Sequence, residues 1–151
     1  MTRINYLGSV WCLRAFLPLL EAGAPADVVN VVSVAGTVSG GPSGPYSASK
    51  HAQIAFSRSV RAELAPRGIR VHTVNPGLTH TEGFPQDAFV THPVWRHAVV
   101  GPDRVADAIL AAVDHNRPEV FVPGYYRLAS AAQGLAPATV SRLASQRRPG
   151  K

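Results

Sequence analysis

Several residue types that would assign the sequence to a particular class of protein are scarce or absent. Its single cysteine, Cys12, excludes an internal disulfide and suits a reducing compartment, so we expect a cytoplasmic protein. No apolar run is long enough to span a membrane, and no apolar segment with a cleavage site follows Met1. A lone cysteine on an apolar helix is usually a small core residue, and we predict that role for Cys12.

Charged residues are also few. They make up 16% of the sequence against 46% hydrophobic residues, which suits one domain built around a buried sheet. Basic residues outnumber acidic ones by 15 to 9, but the arginines are scattered up to Arg142. Because a nucleic-acid interface needs a basic stripe with interleaved aromatic residues, we expect no nucleic-acid partner. The histidines, His80, His92 and His97 among them, lack the spacing of metal ligands, so we expect no metal site.

Lysine is rare in this sequence, and one of its lysines follows a tyrosine at a spacing that suits acid/base catalysis. Thirteen arginines stand against two lysines, Lys50 and Lys151. Lys50 follows Tyr46 by four positions, so a helix would place the ammonium and the phenol on one face. A fixed cation favours the phenolate and lowers a tyrosine pKa from about 10 toward the range useful for acid/base chemistry. A Tyr-x-x-x-Lys pair alone is usually an ordinary exposed helix contact, and only its surroundings favour a catalytic interpretation.

Two apolar runs predict neighbouring strands of a parallel sheet. Residues 27–34 form a nearly continuous apolar run that delivers Ser33 to its end, and residues 69–75 form a second run closed by a Pro-Gly break. Open α/β sheets bind their ligands at the carboxyl ends of the strands. We therefore expect Ser33 to lie near the tyrosine–lysine pair, at one edge of the sheet.

The remaining periodicity predicts an α/β fold, a Rossmann-like doubly wound parallel sheet in which helices connect the strands. Helices are predicted over residues 3–22, 46–65 and 102–115, and a last strand over residues 119–123. Residues 1–123 would form the Rossmann-like domain. Residues 124–151 would form a helical tail, broken at Gly134 and Pro137, with a disordered end.

The stretch between Leu78 and Gly101 has little periodicity but carries large apolar groups, namely Phe84, Phe89, Val94 and Trp95. Loops between rigid elements often determine specificity, so these groups indicate a substrate with apolar bulk. The alanine-rich tail could cover the substrate pocket, pack on a partner subunit or touch an anionic membrane surface. We favour the first two, because the basic cluster of the tail is only a few residues long.

Taken in order, these motifs resemble the short-chain dehydrogenase/reductase family. The matching segments are Asn5-Tyr-Leu-Gly8, Val29-Asn-Val-Val-Ser33, Tyr46-Ser-Ala-Ser-Lys50, Arg61-Ala-Glu-Leu64 and Gly68-Ile-Arg-Val-His-Thr-Val-Asn75-Pro-Gly77 with Thr81. The resemblance implies interconversion of an alcohol and a ketone, with NAD or NADP as the hydride carrier. In this family the stretch after Leu78 holds a mobile substrate lid.

The resemblance also implies a role for each matching residue. Tyr46 would be the general acid/base, and Ser33 would polarise the substrate carbonyl. Lys50 would hold the nicotinamide ribose and lower the tyrosine pKa, while Asn5 would organise a water that relays protons. The nicotinamide end of the cofactor would be lined by Asn75, Pro76, Gly77 and Thr81.

A glycine-rich turn for the cofactor pyrophosphate is missing from the sequence. The nearest candidates, Gly36, Gly40, Gly41 and Gly44, are interrupted by prolines and do not match the Gly-x-Gly-x-x-Gly spacing. By resemblance, the sequence corresponds to the C-terminal half of a Rossmann-like domain. The residues that choose between NAD and NADP would lie in the other half.

Two functional hypotheses remain open. The first is an NAD(P)-dependent oxidoreductase acting on a small-molecule alcohol or ketone. The second is an inactive, truncated remnant that acts, if at all, through oligomerisation. Family members commonly dimerise through two helices, and the resemblance implies a homo-oligomer formed through residues 3–22 and 46–65.

Overall fold

A computed structural model describes residues 1–39, 43–82, 91 and 98–146. Its helices are a π-helical turn, Arg3–Leu7, that leads into α1 (Gly8–Ala22), then α2 (Gly44–Leu64), α3 (Pro102–Asp114), α4 (Tyr126–Leu135) and α5 (Pro137–Gln146). The strands are β1 (Ala26–Val31), β2 (Ile69–Pro76), β3 (Leu78–Thr79), β4 (Val99–Val100) and β5 (Glu119–Val122). The predicted lid residues and the predicted disordered end lie mostly outside the described residues.

The main sheet is parallel, with the strand order β1-β2-β5. Its register pairs Ala26 with Ile69 and Thr73 with Glu119. A crossover that includes α2 joins β1 to β2, and another that includes α3 leads to β5, as parallel neighbours require. The short strands β3 and β4 form a separate parallel pair. The predicted α/β fold with a Rossmann-like parallel sheet is confirmed.

Helices cover both faces of this sheet. On one face, Ile69 and Val71 of β2 pack with Val60 and Leu64 of α2, together with apolar residues of α1. On the other face, Val74 packs with residues of β4, β5 and α3. Side chains alternate along a strand, so β2 supplies both cores and fixes the sheet between its two helical layers.

The first strand ends earlier than the sequence predicts, at Val31. The amide of Val32 still donates a hydrogen bond to the Val74 carbonyl, at 2.8 Å. The chain then enters a 3₁₀ turn, Val34–Gly36, because the Ser33 hydroxyl caps the amide of Ala35. Ser33 therefore lies just beyond the strand, at its carboxyl end.

Strand β1 is an edge of the sheet within the described residues. Ala26 and Val32 donate their amides toward β2, and residues of one parallel strand alternate in the direction of their backbone groups. Asp27, Val29 and Val31 therefore direct their amides and carbonyls away from β2. The side chain of Val31 is 44% exposed, so the edge is both apolar and unpaired there.

The prediction that Cys12 is a small core residue is wrong. Helix α1 turns Leu13, Leu17 and Leu20 toward the sheet, and Cys12 lies on a neighbouring face, exposed. With Phe16 it lines an open groove of about 490 Å³ along the edge of β1. Apolar periodicity located the helix correctly, but it could not show which part of a broad apolar face would be covered.

The tail forms two helices that meet at Ala136, next to the predicted break at Pro137. The predicted break at Gly134 is wrong, because α4 continues through Gly134 to Leu135. None of the described helices combines the length and hydropathy needed to cross a membrane.

Candidate active site

Ser33 lies where the carboxyl ends of β1 and β2 meet. Its hydroxyl oxygen accepts a hydrogen bond from the Ala35 amide at 3.1 Å. The same hydroxyl donates to the Pro76 carbonyl at the end of β2, at a long 3.5 Å. The serine is therefore anchored by its own turn, while its donated hydrogen bond is weak enough to be redirected to another acceptor.

Tyr46 and Lys50 lie in the first two turns of α2. Pro45, in the first turn, favours the start of the helix there. The Lys50 ammonium nitrogen is 5.9 Å from the centroid of the Tyr46 ring, and both residues are partly buried. Burial lowers the pKa of Lys50 below its ordinary value. The helix thus places the phenol and the cation side by side, as the four-residue spacing predicts.

Gly36 lets the turn after Ser33 approach α2 closely. A Cβ at this position would lie 2.7 Å from the Lys50 carbonyl oxygen and 2.7 Å from the Ile54 side chain. Only a glycine fits against the helix there. This contact brings the segment that carries Ser33 against the turn of α2 that carries Lys50.

Asn5 lies in the π-helical turn before α1, a type of distortion that often occurs at functional sites. Its side-chain amide donates to the Ser49 hydroxyl at 3.1 Å, and Ser49 in turn donates to the Tyr46 carbonyl at 2.7 Å. The asparagine is therefore fastened to the same turn of α2 that carries Tyr46 and Lys50.

Sequence reasoning missed two polar residues of this site, Gln53 and Ser9. The Lys50 ammonium donates to the Gln53 side-chain oxygen at 2.9 Å, and the Gln53 amide donates to the Ser9 hydroxyl at 2.9 Å. The Ser9 hydroxyl donates to the Asn5 carbonyl at 3.3 Å. The three-residue spacing of Lys50 and Gln53 on a helix was an available signal, since such residues are neighbours on one face.

The residues expected to line the nicotinamide end fall into different places. Asn75 is fully buried, and its side-chain amide donates to Glu119 at 2.9 Å, so this side chain braces β2 against β5. The Pro76 carbonyl receives the bond from Ser33, and Gly77 follows it directly. Thr81 is exposed, beyond β3.

Tyr126 of α4 is a further neighbour that the sequence did not indicate. Its ring packs on Gly77, where an added Cβ would overlap it. Burial, together with the neighbouring Tyr125, raises the pKa of Tyr126 to about 12, although a hydrogen bond to the backbone of Leu78 acts in the opposite direction. Tyr126 therefore stays protonated at neutral pH and is unsuited to acid/base chemistry there.

A second groove, of about 720 Å³, runs along β5 and includes Arg58, Arg117 and Arg127 in its lining. None of its lining residues belongs to the cluster of Ser33, Tyr46 and Lys50. Arg58 is engaged by a two-pronged ion pair with Glu119. The described residues hold no group of three or more potential metal ligands.

Comparison with known proteins agrees with this geometry. The family model described as short chain dehydrogenase matches residues 1–88. A 1-deoxy-11-beta-hydroxypentalenate dehydrogenase from Streptomyces avermitilis is 34% identical over 119 residues, covering 78% of this chain and 44% of that protein. The dehydrogenase/reductase SDR family member 7B of Xenopus laevis is 35% identical over 150 residues, covering 95% of this chain and 46% of that protein.

Solved structures give the same result. A short chain dehydrogenase from Burkholderia cenocepacia, in complex with NADP, matches with a TM-score of 0.76 and 27% identity. The match covers 94% of this chain and 56% of that one. The chain spans less than half the length of the two relatives named above.

Proposed function

Because this chain belongs to the short-chain dehydrogenase family, we propose that it carries the catalytic side chains of an NAD(P)-dependent oxidoreductase that interconverts an alcohol and a ketone. The observation that carries the proposal is the placement of the Lys50 ammonium 5.9 Å from the Tyr46 ring, on a helix fastened to Asn5 and packed against the turn after Ser33. The described residues here bring together a phenol that can donate a proton, a hydroxyl and a partly buried ammonium.

Each side chain has a distinct task in this proposal. When a carbonyl is reduced, negative charge builds on its oxygen, and the Tyr46 hydroxyl supplies the proton that neutralises it. Ser33 turns its hydroxyl from the Pro76 carbonyl to the same oxygen and stabilises the charge by a hydrogen bond. In the reverse direction, the Tyr46 phenolate removes the proton of the alcohol. Bound NAD(P) would supply or accept the hydride, which no side chain can carry.

Lys50 is the residue of this chain best suited to the ribose of the cofactor. An ammonium has three donors, and among the described residues Lys50 uses one of them, on Gln53. The remaining donors are available to ribose hydroxyls, while the positive charge lies 5.9 Å from the centroid of the Tyr46 ring. Asn5 would organise the proton-relay water, and Pro76, Gly77 and Thr81 would approach the nicotinamide.

The cofactor is proposed as NAD or NADP without a preference. The Burkholderia cenocepacia relative was solved with NADP, which supports NAD(P) for this chain. We propose that Lys50 holds the nicotinamide ribose and that the pyrophosphate is held by the half of the family fold that this chain does not cover. The proposed substrate is an alcohol or ketone with apolar bulk, and the proposed location is the cytoplasm.

A second candidate function is an inactive remnant that acts by association. The observation in its favour is the exposed apolar surface of α1, which includes Trp11 and Phe16, beside the unpaired edge of β1. Helices 3–22 and 46–65 are the proposed contact elements of a homo-oligomer. This candidate predicts association without any turnover.

Turnover in a completed domain distinguishes the two candidates. We define the completed domain as a fusion of two segments. The residues that precede the matching segment in the Streptomyces avermitilis relative come first, and this chain follows them. The oxidoreductase hypothesis predicts oxidation of NADH or NADPH in the presence of bulky apolar ketones, followed as the loss of the absorbance of the reduced cofactor. A folded completed domain that binds the reduced cofactor but reduces no ketone would overturn the proposal.

A further inference from the structure

A chain of side-chain hydrogen bonds connects Lys50 to Asn5, and Gln53 is its middle member. Gln53 is only 6% exposed, although glutamine is usually a surface residue. Its oxygen accepts from the Lys50 ammonium at 2.9 Å, and its amide donates to the Ser9 hydroxyl at 2.9 Å. Ser9 passes the connection to the Asn5 carbonyl at 3.3 Å. Both ends of the buried amide are therefore satisfied.

The direction of this chain of bonds fixes the orientation of the amide. An ammonium can only donate, so the group of Gln53 that faces Lys50 must be its oxygen. The nitrogen then faces Ser9, whose hydroxyl can accept this bond and still donate to a carbonyl. Asn5 closes the connection from the other side, because its own side chain reaches the Tyr46 carbonyl through Ser49.

We propose that Gln53 is a positioning residue for the candidate active site, which holds the Lys50 ammonium in place and keeps it a free positive charge beside Tyr46. The role of Gln53 in catalysis rests on the proposed oxidoreductase function, but its effect on the pKa of Lys50 does not.

A neutral amide suits this task better than the alternatives. An apolar side chain at position 53 would leave a partly buried ammonium without its acceptor, which disfavours the charged form. A carboxylate would stabilise the ammonium but would also cancel its charge, so less of its field would reach Tyr46. The amide stabilises the cation by a hydrogen bond and leaves the net charge of the pair at plus one.

The amide also determines what this connection cannot do. A hydroxyl or a water accepts one proton while it releases another, whereas a neutral amide does not exchange protons readily along its length. The route through Gln53 therefore positions Lys50 and does not serve as a proton relay. A proton relay at Asn5, which the family resemblance implies, would therefore use a route other than Gln53.

The scarcity of lysine makes the test direct. With ¹³Cε-labelled lysine, the 151-residue chain gives two side-chain signals, from Lys50 and Lys151, and Lys151→Arg assigns them. We expect Gln53→Glu to raise the pKa of Lys50 and Gln53→Met, a neutral substitution of similar size, to lower it. The matched controls, Gln133→Glu and Gln133→Met in α4, should leave the Lys50 titration at its wild-type midpoint.

Two further measurements keep the test decisive. If the sample is oligomeric, competitive labelling with trace acetic anhydride gives the same comparison by mass spectrometry. If a Gln53 variant does not fold, Ser9→Ala removes the next bond and should shift the Lys50 titration, whereas Ser9→Thr, which keeps the hydroxyl, should not. Lys50 midpoints in the folded variants Gln53→Glu, Gln53→Met and Ser9→Ala that equal the wild-type midpoint would overturn the proposal, as would equal shifts in the Gln133 controls.

The completed domain then tests the catalytic meaning separately. Gln53→Glu should move the pH midpoint of alcohol oxidation upward, because the carboxylate cancels part of the positive field that Lys50 exerts at Tyr46, and Gln133→Glu should not move it. If Gln53→Glu and Gln53→Met shift the Lys50 titration in opposite directions while the completed wild-type domain shows no turnover, the role of Gln53 is supported and the proposed function is refuted. Turnover with an unmoved pH midpoint in Gln53→Glu would refute the role of Gln53 in catalysis.

Discussion

The ring of Tyr126 packs directly on the backbone of Gly77, in the space that a Cβ would occupy. The Gly77 amide donates to the Val122 carbonyl at 2.8 Å, and the preceding carbonyl, of Pro76, accepts from Ser33. The turn after β2 is therefore held between the candidate active site on one side and the first tail helix on the other. The tail is part of the support of the site.

Gly77→Ala should destabilise the protein by about 1–3 kcal/mol, the usual effect of overpacking, because the methyl group displaces the Tyr126 ring. Urea unfolding measures the change. Gly124→Ala is the matched control and should have little effect, since a Cβ there meets nothing within 4 Å. In the double variant Gly77→Ala/Tyr126→Ala, the losses of unfolding free energy from the two single substitutions should not add, because the ring that the new methyl group displaces is absent. Full additivity would contradict the direct contact.

Asp27 should contribute stability that is lost in acid. Burial raises the pKa of Asp27, but hydrogen bonds from Arg70 and His72, with their positive charges, outweigh burial and place it below its ordinary value of 3.8. A depressed carboxyl pKa stabilises the fold fully above the pKa of the unfolded chain, and this contribution disappears as the pH falls through the folded value.

The wild type should therefore lose stability below about pH 4, and Asp27→Asn should remove that component of the acid dependence. Urea unfolding gives the free energy of unfolding of both proteins from about pH 2 to about pH 7, a range that covers the titration of carboxyl groups. Asp107→Asn, at an exposed position of α3, should keep the wild-type acid dependence. An unchanged pH dependence in Asp27→Asn would contradict the assignment.

The edge of β1 should make the 151-residue chain self-associate. Within the part of the chain that the structure describes, Val29 and Val31 direct backbone groups outward without a partner strand, and an unpaired apolar edge strand pairs readily with another chain. Val31→Lys should shift sedimentation-velocity profiles toward the monomer, because a charge on the edge opposes pairing. Leu110→Lys changes an equally apolar residue, 64% exposed on α3, and should leave association unchanged. A wild type that stays monomeric at high concentration would refute this prediction.

Lys50→Arg in the completed domain should weaken cofactor binding and turnover together. A guanidinium is planar and forked, so it fits neither the single oxygen of Gln53 nor a ribose hydroxyl as a compact ammonium does. Titration calorimetry with NADH or NADPH and steady-state rates measure the two effects. Lys151→Arg makes the same chemical change outside the site and should alter neither. Equal binding and turnover in Lys50→Arg would show that the shape of the cation is unimportant.

The parts of the site that follow from local geometry were predictable from the sequence. Tyr46 and Lys50 share a face because helical residues four apart always do, and Ser33 reaches the sheet edge because an apolar run ends beside it. The early end of β1 was not predictable to the residue, since the Ser33 cap determines where the chain turns.

The parts that depend on packing between distant segments could not be predicted in the same way. Gln53 reads as a surface residue until α1 packs across α2 and brings Ser9 to it, 44 positions away in the sequence. Tyr126 meets Gly77 only because α4 folds back after β5. The exposure of Cys12 likewise depends on which part of α1 the sheet covers. None of these relationships leaves a periodic pattern in the sequence.

Tyr46→Phe in the completed domain determines whether Tyr46 is the general acid/base, as we propose. This substitution removes the phenolic proton and keeps the ring, so ketone reduction should fall by about 100-fold or more while NADH or NADPH affinity stays near the wild-type value. Tyr6→Phe, which keeps the ring that packs edge-on against Phe56, should retain wild-type turnover. Tyr46→Phe with turnover equal to that of the Tyr6→Phe control would contradict the assignment of Tyr46 as the acid/base.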